Sequence, residues 1–576
     1  MFRGEFRSLQ VGAFWCGLLF LGGCSGVIGG SHGGGPAQDG SSSSEPSASN
    51  VASLFACESP GPQPSEARLV RLSGSQFARA VDVLRRGRSA NANRDRDGNA
   101  VPSPFQAPNS ADRFTTVASS YFIGEGETST VLQSASSVAV EVASDLVRAG
   151  ASCAADGFDE DCARSLIAEK GALLLGRELD ADELDTYVGL ATDSRVSVLG
   201  TETALATTME ALLSSPSFLF RTELGEPAGG GTFKLTSYEI ASALSYTLTD
   251  GPPDEELWRA AVEGRLTEPT EIEAQVQRLL SPLDQSDALA RFIREYFRYD
   301  EAESVAKELQ DFPFHDAESL QEDTSLFVRE ALKRSGETSL LETLLTADWG
   351  FVRAATTESY NFSGSMPQDG TPELIAFGSD KRTGIMTQPS WLVAFSQIDH
   401  NDAIRRGKFI RESLLCGSIP AIDISMVSPL DLSEDKTMRE SLEQHRTDPS
   451  CAGCHSLMDP LGLAFAAFDH VGRERDMEAG RAVDESGELT GTGDQDGPFD
   501  GVSDLMWKLA ASETVRQCLV VHAYEYFRGA RRGQADGCAL QEADDALKAA
   551  DGNLVALISE FFASDEFVIR IPAEGQ

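Results

Sequence analysis

At 576 residues, with 41% hydrophobic and 24% charged side chains, the chain is too long for one ordinary core, and about three or four domains are expected. The formal net charge of −42 excludes nucleic acid as a partner, because phosphate binding needs clustered Lys and Arg. It also argues against docking on anionic headgroups and suits a basic partner protein.

The first segment, "MFRGEFRSLQVGAFWCGLLFLGGCSG", sets Arg3 and Arg7 ahead of an apolar run over 11–21. That run is too short to span a bilayer and reads as the core of an export signal. It ends in Leu21-Gly22-Gly23-Cys24, similar to a bacterial lipobox, in which the Cys is acylated after cleavage. Cys24 is therefore the expected lipidation site. Ser25 follows it, with no Asp to signal inner-membrane retention, so outer-membrane anchorage in the cell envelope is expected. Residues 25–66 read as a Gly/Ser-rich tether.

Beyond the tether, periodicity is helical nearly everywhere. In "LATTMEALLSSPSFLFRTEL", Met209, Leu212, Leu213 and Phe218 fall near one face. "TSYEIASALSYTL" opens on Thr236-x-x-Glu239, a capping box, followed by Ile240, Leu244 and Leu248 at helical spacing. "EIEAQVQRLL" and "DALARFIREYF" repeat the pattern. Turn-rich breaks fall at 225–232, 356–373 and 485–501. Asn93, Asp95, Asp97 and Gly98 imitate the start of a calcium loop, but Pro104 stands where its bidentate Glu belongs. Asp494, Asp496 and Asp500 read as turn formers. Alternating strand patterns are scarce, so the fold class expected is all-α, several helical domains in series.

The stretch "HRTDPSCAGCHSLMDPLG" carries Cys451, Cys454 and His455 as C-x-x-C-H. From this chain's own Cys and His frequencies, a chance match is expected roughly 0.002 times. Two residues between the thiols match the vinyl spacing of haem, and the adjacent His falls under the iron. A thioredoxin-like pair would want a βα context. A structural zinc on these thiols is disfavoured in an oxidising space. The cofactor expected is one covalent haem c, with His455 as proximal ligand and Cys451 and Cys454 as tethers.

The distal ligand is open. Met458, one helical turn past His455, lies on the same side and cannot reach across the ring. His445 is a candidate through the intervening loop. Met506 and Met477 are thioether alternatives, His470 and His522 are further ones, and an open site also fits. Arg446 and Arg473 are candidate partners for haem propionates.

Of the ten cysteines, Cys16 leaves with the signal, Cys24 takes lipid, and two belong to the motif. The remaining Cys57, Cys153, Cys162, Cys416, Cys518 and Cys538 suggest three disulfides. Proximity in sequence pairs Cys153 with Cys162 and Cys518 with Cys538, which leaves Cys57 with Cys416 by elimination.

Five stretches occur in order: "LTSYEIASALSYTLTDGPPDEELWRAAVEGRL", "RTGIMTQPSWLVAF", "RRGKFIRESLLC", "LEQHRTDPSCAGCHSLMDPLGLAFAAFDHVGRER" and "FDGVSDLMWKL". Together the chain resembles bacterial exported multidomain proteins built from domain-of-unknown-function families 1595, 1592, 1588 and 1585. With the signal and lipobox over 1–24 and the tether over 25–66 read from the residues above, an N-terminal helical region is expected over 67–150. The resemblance implies a 1595-like domain over 151–226, a 1592-like domain over 232–355, a haem-binding 1588-like domain over 380–480, and a 1585-like helical domain over 497–571. Such proteins are commonly described as cytochrome c-like for their C-x-x-C-H, and the resemblance includes a His at position 445. Met506 resembles the downstream Met of simple cytochromes.

The function expected is electron transfer by a cell-envelope lipoprotein with a basic redox partner. One alternative is an envelope haem enzyme of peroxidase or oxidase type, its N-terminal domains holding a substrate. Another is a non-redox surface interaction protein with zinc or a disulfide at the motif.

Overall fold

Several helices in this chain start where short polar side chains accept from otherwise unpaired N–H groups. Capping boxes open helices Gly74–Arg86 at Ser73 and Gln76, Ala181–Thr192 at Asp180 and Glu183, Ser237–Leu248 at Thr236 and Glu239, and Met438–Thr447 at Thr437 and Glu440. Helices Pro269–Leu280 and Asp287–Phe297 cover the two expected amphipathic stretches. Met209, Leu212, Leu213 and Phe218 are all buried, in one apolar cluster with Phe77 and Leu84. The computed structural model describes residues 51–57, 64–87, 105, 114–118, 125–148, 159–336, 338–378, 381–420, 430–431, 433, 435–531 and 536–572. Cys24, Cys153 and the calcium-like loop at 93–98 lie outside them.

The all-α expectation is wrong: the fold is mixed α/β. Small sheets join segments far apart in sequence. Strand Ser65–Glu66 runs parallel to Ile569–Ile571, which pairs antiparallel with Thr232–Lys234, itself paired with Glu226–Gly229. Arg68–Arg71 pairs antiparallel with Phe220–Glu223. Further two-stranded ribbons join Trp349–Val352 with Glu373–Ala376, Met477–Glu478 with Arg481–Ala482, and Ser486–Leu489 with Gly497–Asp500. Each strand is two to four residues long, too short for a period-2 pattern to stand out from a turn. Two of the expected loop breaks, at 225–232 and 485–501, therefore hold strands.

The described residues belong to one compact unit, Ser43–Gln576, and its largest apolar cluster runs from Val51 through Leu244, Trp391 and Met506 to Val568, beside a second one around Phe77 and Met209. The disulfides follow this closure. Cys57 pairs with Cys538 and Cys416 with Cys518, not Cys518 with Cys538 and Cys57 with Cys416. Proximity in sequence misled because helix Glu513–Arg528 buries Cys518 against Ser413, whose carbonyl lies 3.4 Å from the sulfur. Cys162 is disulfide-bonded as well. Among the described residues, no helix is long and apolar enough to cross a membrane.

Candidate functional site

Asp448 turns the chain into the motif by accepting from the Ser450 N–H at 2.8 Å. Helix Ala452–Leu463 then begins, with Cys451 at its N-cap position. Cys451 and Cys454 are half-buried thiols, and burial pushes the Cys454 thiol up, with Cys451 beside it adding to the rise. His455 is buried. Its Nδ1 lies 2.9 and 3.1 Å from the two carboxylate oxygens of Asp459, one turn on. An ionised carboxylate only accepts, so Nδ1 carries the hydrogen and Nε2 keeps the lone pair a metal would use. Asp459 is fully buried, which fixes the ring's orientation.

Glycines let this helix come close to its neighbour Ala403–Phe409. A Cβ on Gly462 would lie 1.8 Å from the Ala403 carbonyl oxygen, and one on Gly407 would lie 1.9 Å from that of Met458. Pro460 interrupts the helix ladder. Just before it, the Leu457 carbonyl accepts from the fully buried Arg411 at 2.9 Å. Burial brings the Arg411 guanidinium down to about 10.

On helix Met438–Thr447, Met438, Leu442 and His445 share one stripe, at spacings of four and three residues. Met438 and Leu442 pack with Ala403 and Leu463 in a small apolar cluster of their own. That stripe carries His445, also buried, to within 4.9 Å of His455 between ring centroids, at 70°. Two imidazoles on opposite sides of one metal would stand roughly 6 Å apart, given metal–nitrogen bonds of about 2.0–2.1 Å. A distal role for His445 therefore requires the two helices to part.

The other candidates are held elsewhere. Met506 is fully buried in the main core, on helix Gly501–Ala511, which packs on helices Leu340–Thr346 and Glu513–Arg528. Met477 is 54% exposed on a short strand. His470 packs edge-on against Phe312, and burial, aided by Lys307, pushes it down to about 4. His522 stands beside the Cys416–Cys518 disulfide, its Nε2 3.9 Å from the Cys416 sulfur. Among the described residues, Cys416, Cys518 and His522 are the set whose ligand atoms lie close enough for a metal. A disulfide offers no thiolate, so while oxidised that trio is no metal cage. Arg446 pairs with Glu443 and Arg473 with Asp469, so neither stands ready for a propionate. Asp496 accepts from the Thr492 N–H, and Asp494 from the Glu513 N–H, as turn and cap residues. Asp459 was missed from sequence; its signal was an acidic residue one turn after the motif histidine.

Four models of families described as proteins of unknown function match the chain: DUF1595 over residues 162–223, DUF1592 over 235–362, DUF1588 over 382–478 and DUF1585 over 496–567. The chain carries a segment of each of these four families, in that order. The DUF1588 segment contains the whole constellation of Cys451, Cys454, His455, Asp459 and His445, whereas Met506 and His522 fall in the DUF1585 segment. No curated protein and no solved structure matches the chain.

Proposed function

We propose that the chain is a cell-envelope electron-transfer protein, lipid-anchored through Cys24, with one covalent haem c in its DUF1588 segment. The observation that carries this reading is the environment of His455. Buried Asp459 holds Nδ1, and of the two thiols a haem would use, Cys454 directly precedes His455 and Cys451 stands one turn earlier, at the N-cap of the same helix. Cysteine state supports it. Every other described cysteine is in a disulfide, and the pair left as thiols is the pair with attachment spacing. The helix carrying the motif follows another helix rather than a strand, which weighs against a thioredoxin-like pair.

Haem, when bound, would supply one-electron chemistry at a potential set by its axial ligands and their partners. The residues of this chain do the positioning. Cys451 and Cys454 would tether the ring, His455 would present Nε2, and Asp459 would fix the tautomer and raise the basicity of the imidazole. His445 is the nearest second imidazole. The net charge of −42 would favour a basic redox partner.

The test is the optical spectrum of protein matured in an envelope that attaches c-type haem. A haem spectrum that survives denaturation and is lost in Cys451→Ser/Cys454→Ser is expected; a colourless protein with two titratable thiols would sink the reading. His445→Ala should open the site to carbon monoxide while Met506→Ala leaves ligation unchanged. The reverse result moves the distal role to Met506.

A further inference from the structure

A cavity of about 480 Å³ lies where early segments of the chain meet its last helices, within the size range of small-molecule sites. In a chain of net charge −42, its wall carries eight arginines and no lysine, against four carboxylates. Those carboxylates are already engaged. Glu223 takes Arg68 from within the wall and Arg570 from outside it, both at 2.8 Å. Asp250 takes Arg291 at 3.1 Å, and Asp287 takes Arg329 at 2.8 Å. Glu295 is held by the Thr115 N–H and hydroxyl at 2.8 and 2.7 Å.

Arg221 is a wall cation that no carboxylate meets at hydrogen-bond distance among the described residues. It sits on strand Phe220–Glu223, two residues before Glu223 and so on the same face, with Val70 opposite in the ladder. Its nearest carboxylate is Glu223 at 3.7 Å, beyond hydrogen-bond reach and already shared. Its Nε and Nη1 are buried and have no hydrogen-bond partner among the described residues. At the more open edge, Arg294 faces Asp300 at 3.4 Å, and its Nε likewise has none. Buried donors of this kind are costly unless something accepts from them. A guanidinium fork fits the paired oxygens of a carboxylate or phosphate.

We propose that this cavity is a binding site for a small polyanion whose carboxylate or phosphate oxygens accept from Arg221 and Arg294. The Thr116 hydroxyl in the same wall, buried and without a hydrogen-bond partner among the described residues, suits a hydroxyl group on such a ligand. The proposal is independent of the haem reading, since none of these residues belongs to the C-x-x-C-H constellation.

The experiment is calorimetric titration of the full chain with citrate, pyrophosphate and inorganic phosphate at constant ionic strength, with chloride and glucose as controls. Saturable one-to-one binding of at least one of the three is expected, weakened about tenfold or more in Arg221→Gln, the factor of one charge-assisted bond. Should that variant not fold, Arg294→Gln at the exposed edge carries the same expectation. Citrate alone binding assigns a carboxylate ligand, and the phosphates alone assign a phosphate ligand. No saturable binding above the chloride and glucose controls, or an affinity unchanged within twofold in the variants that fold, overturns the site.

Discussion

Asp459 and His470 show how burial gives opposite uses to ionisable side chains. Asp459 is buried against His455, and the charge-assisted bond between them lends electron density to the imidazole. Asp459→Asn keeps the shape and removes the charge. If the haem reading holds, the midpoint potential should rise by roughly 50 mV, about 1 kcal/mol for one electron, since charge-assisted bonds are about twice as strong as neutral ones. A redox titration decides it, and an unchanged potential would remove Asp459 from the site. His470 has a buried Nε2 without a hydrogen-bond partner among the described residues. Its folded pKa of about 4 lies below the ordinary 6.5, so between those values the unfolded chain binds the proton and the folded one does not. Stability is then fully present above pH 6.5 and falls as pH drops towards 4. His470→Phe, packed on Phe312, should remove that slope. Because the ring is partly screened by solvent, the expected difference from the parent at pH 4 is of order 1 kcal/mol, read from urea midpoints across pH. Parallel pH profiles for the two proteins would contradict it.

Among elements, the crossing of helices Ala403–Phe409 and Ala452–Leu463 sets the site. Gly462→Ala drives a methyl into the Ala403 carbonyl, so the helices must separate. A loss of about 1–3 kcal/mol is expected, together with reduced haem attachment, because the thiols ride on the displaced helix. Gly189, in helix Ala181–Thr192, has open space where its Cβ would stand. Gly189→Ala should therefore stabilise by about 0.5–1 kcal/mol through helix propensity alone. Chemical denaturation of both variants checks the contrast, and a neutral Gly462→Ala would mean that the helices do not meet this closely. The capping box at Thr236 was legible in sequence because it is local: Thr236 and Glu239 lie three residues apart and need nothing else. The strands were not, because Ser65–Glu66 gains its identity from Ile569–Ile571, and that strand from Ser65–Glu66 and Thr232–Lys234 on its two sides.

At the scale of the compact unit, the first and last described segments are fastened together. Strand Ile569–Ile571 runs beside Ser65–Glu66, Cys57 joins Cys538, and Glu223 receives Arg68 from one end and Arg570 from the other. Burial works against the charge of Glu223, but the arginines around it win and hold its carboxyl well below the usual carboxylate range. Glu223→Gln would leave buried guanidinium groups uncompensated, and a loss of about 3–5 kcal/mol is expected. A midpoint shift under 1 kcal/mol in urea would show that the hub is not structural. Non-reducing peptide mapping should yield Cys57–Cys538 and Cys416–Cys518. Removing the second, which spans 102 residues, should cost about 2–5 kcal/mol. Recovery of a Cys518–Cys538 peptide would contradict this closure.

By itself the sequence determined what depends on near neighbours. It marked the helix starts at Thr236 and the apolar face of Met209, Leu212 and Leu213, and it supplied the C-x-x-C-H spacing and the resemblance to four domain families, all of which the family models match. Only the tertiary structure decided the mixed α/β class, the disulfide partners, the approach of His445 to His455 with Met506 held in the core, and the gathering of arginines from residues 68 to 528 around one cavity. The reason is range. Helix periodicity and capping act over three or four residues and are written in the local pattern. A two-residue strand, a cystine across 481 positions or a shared carboxylate takes its energy from a partner whose place is set by the packing of everything between.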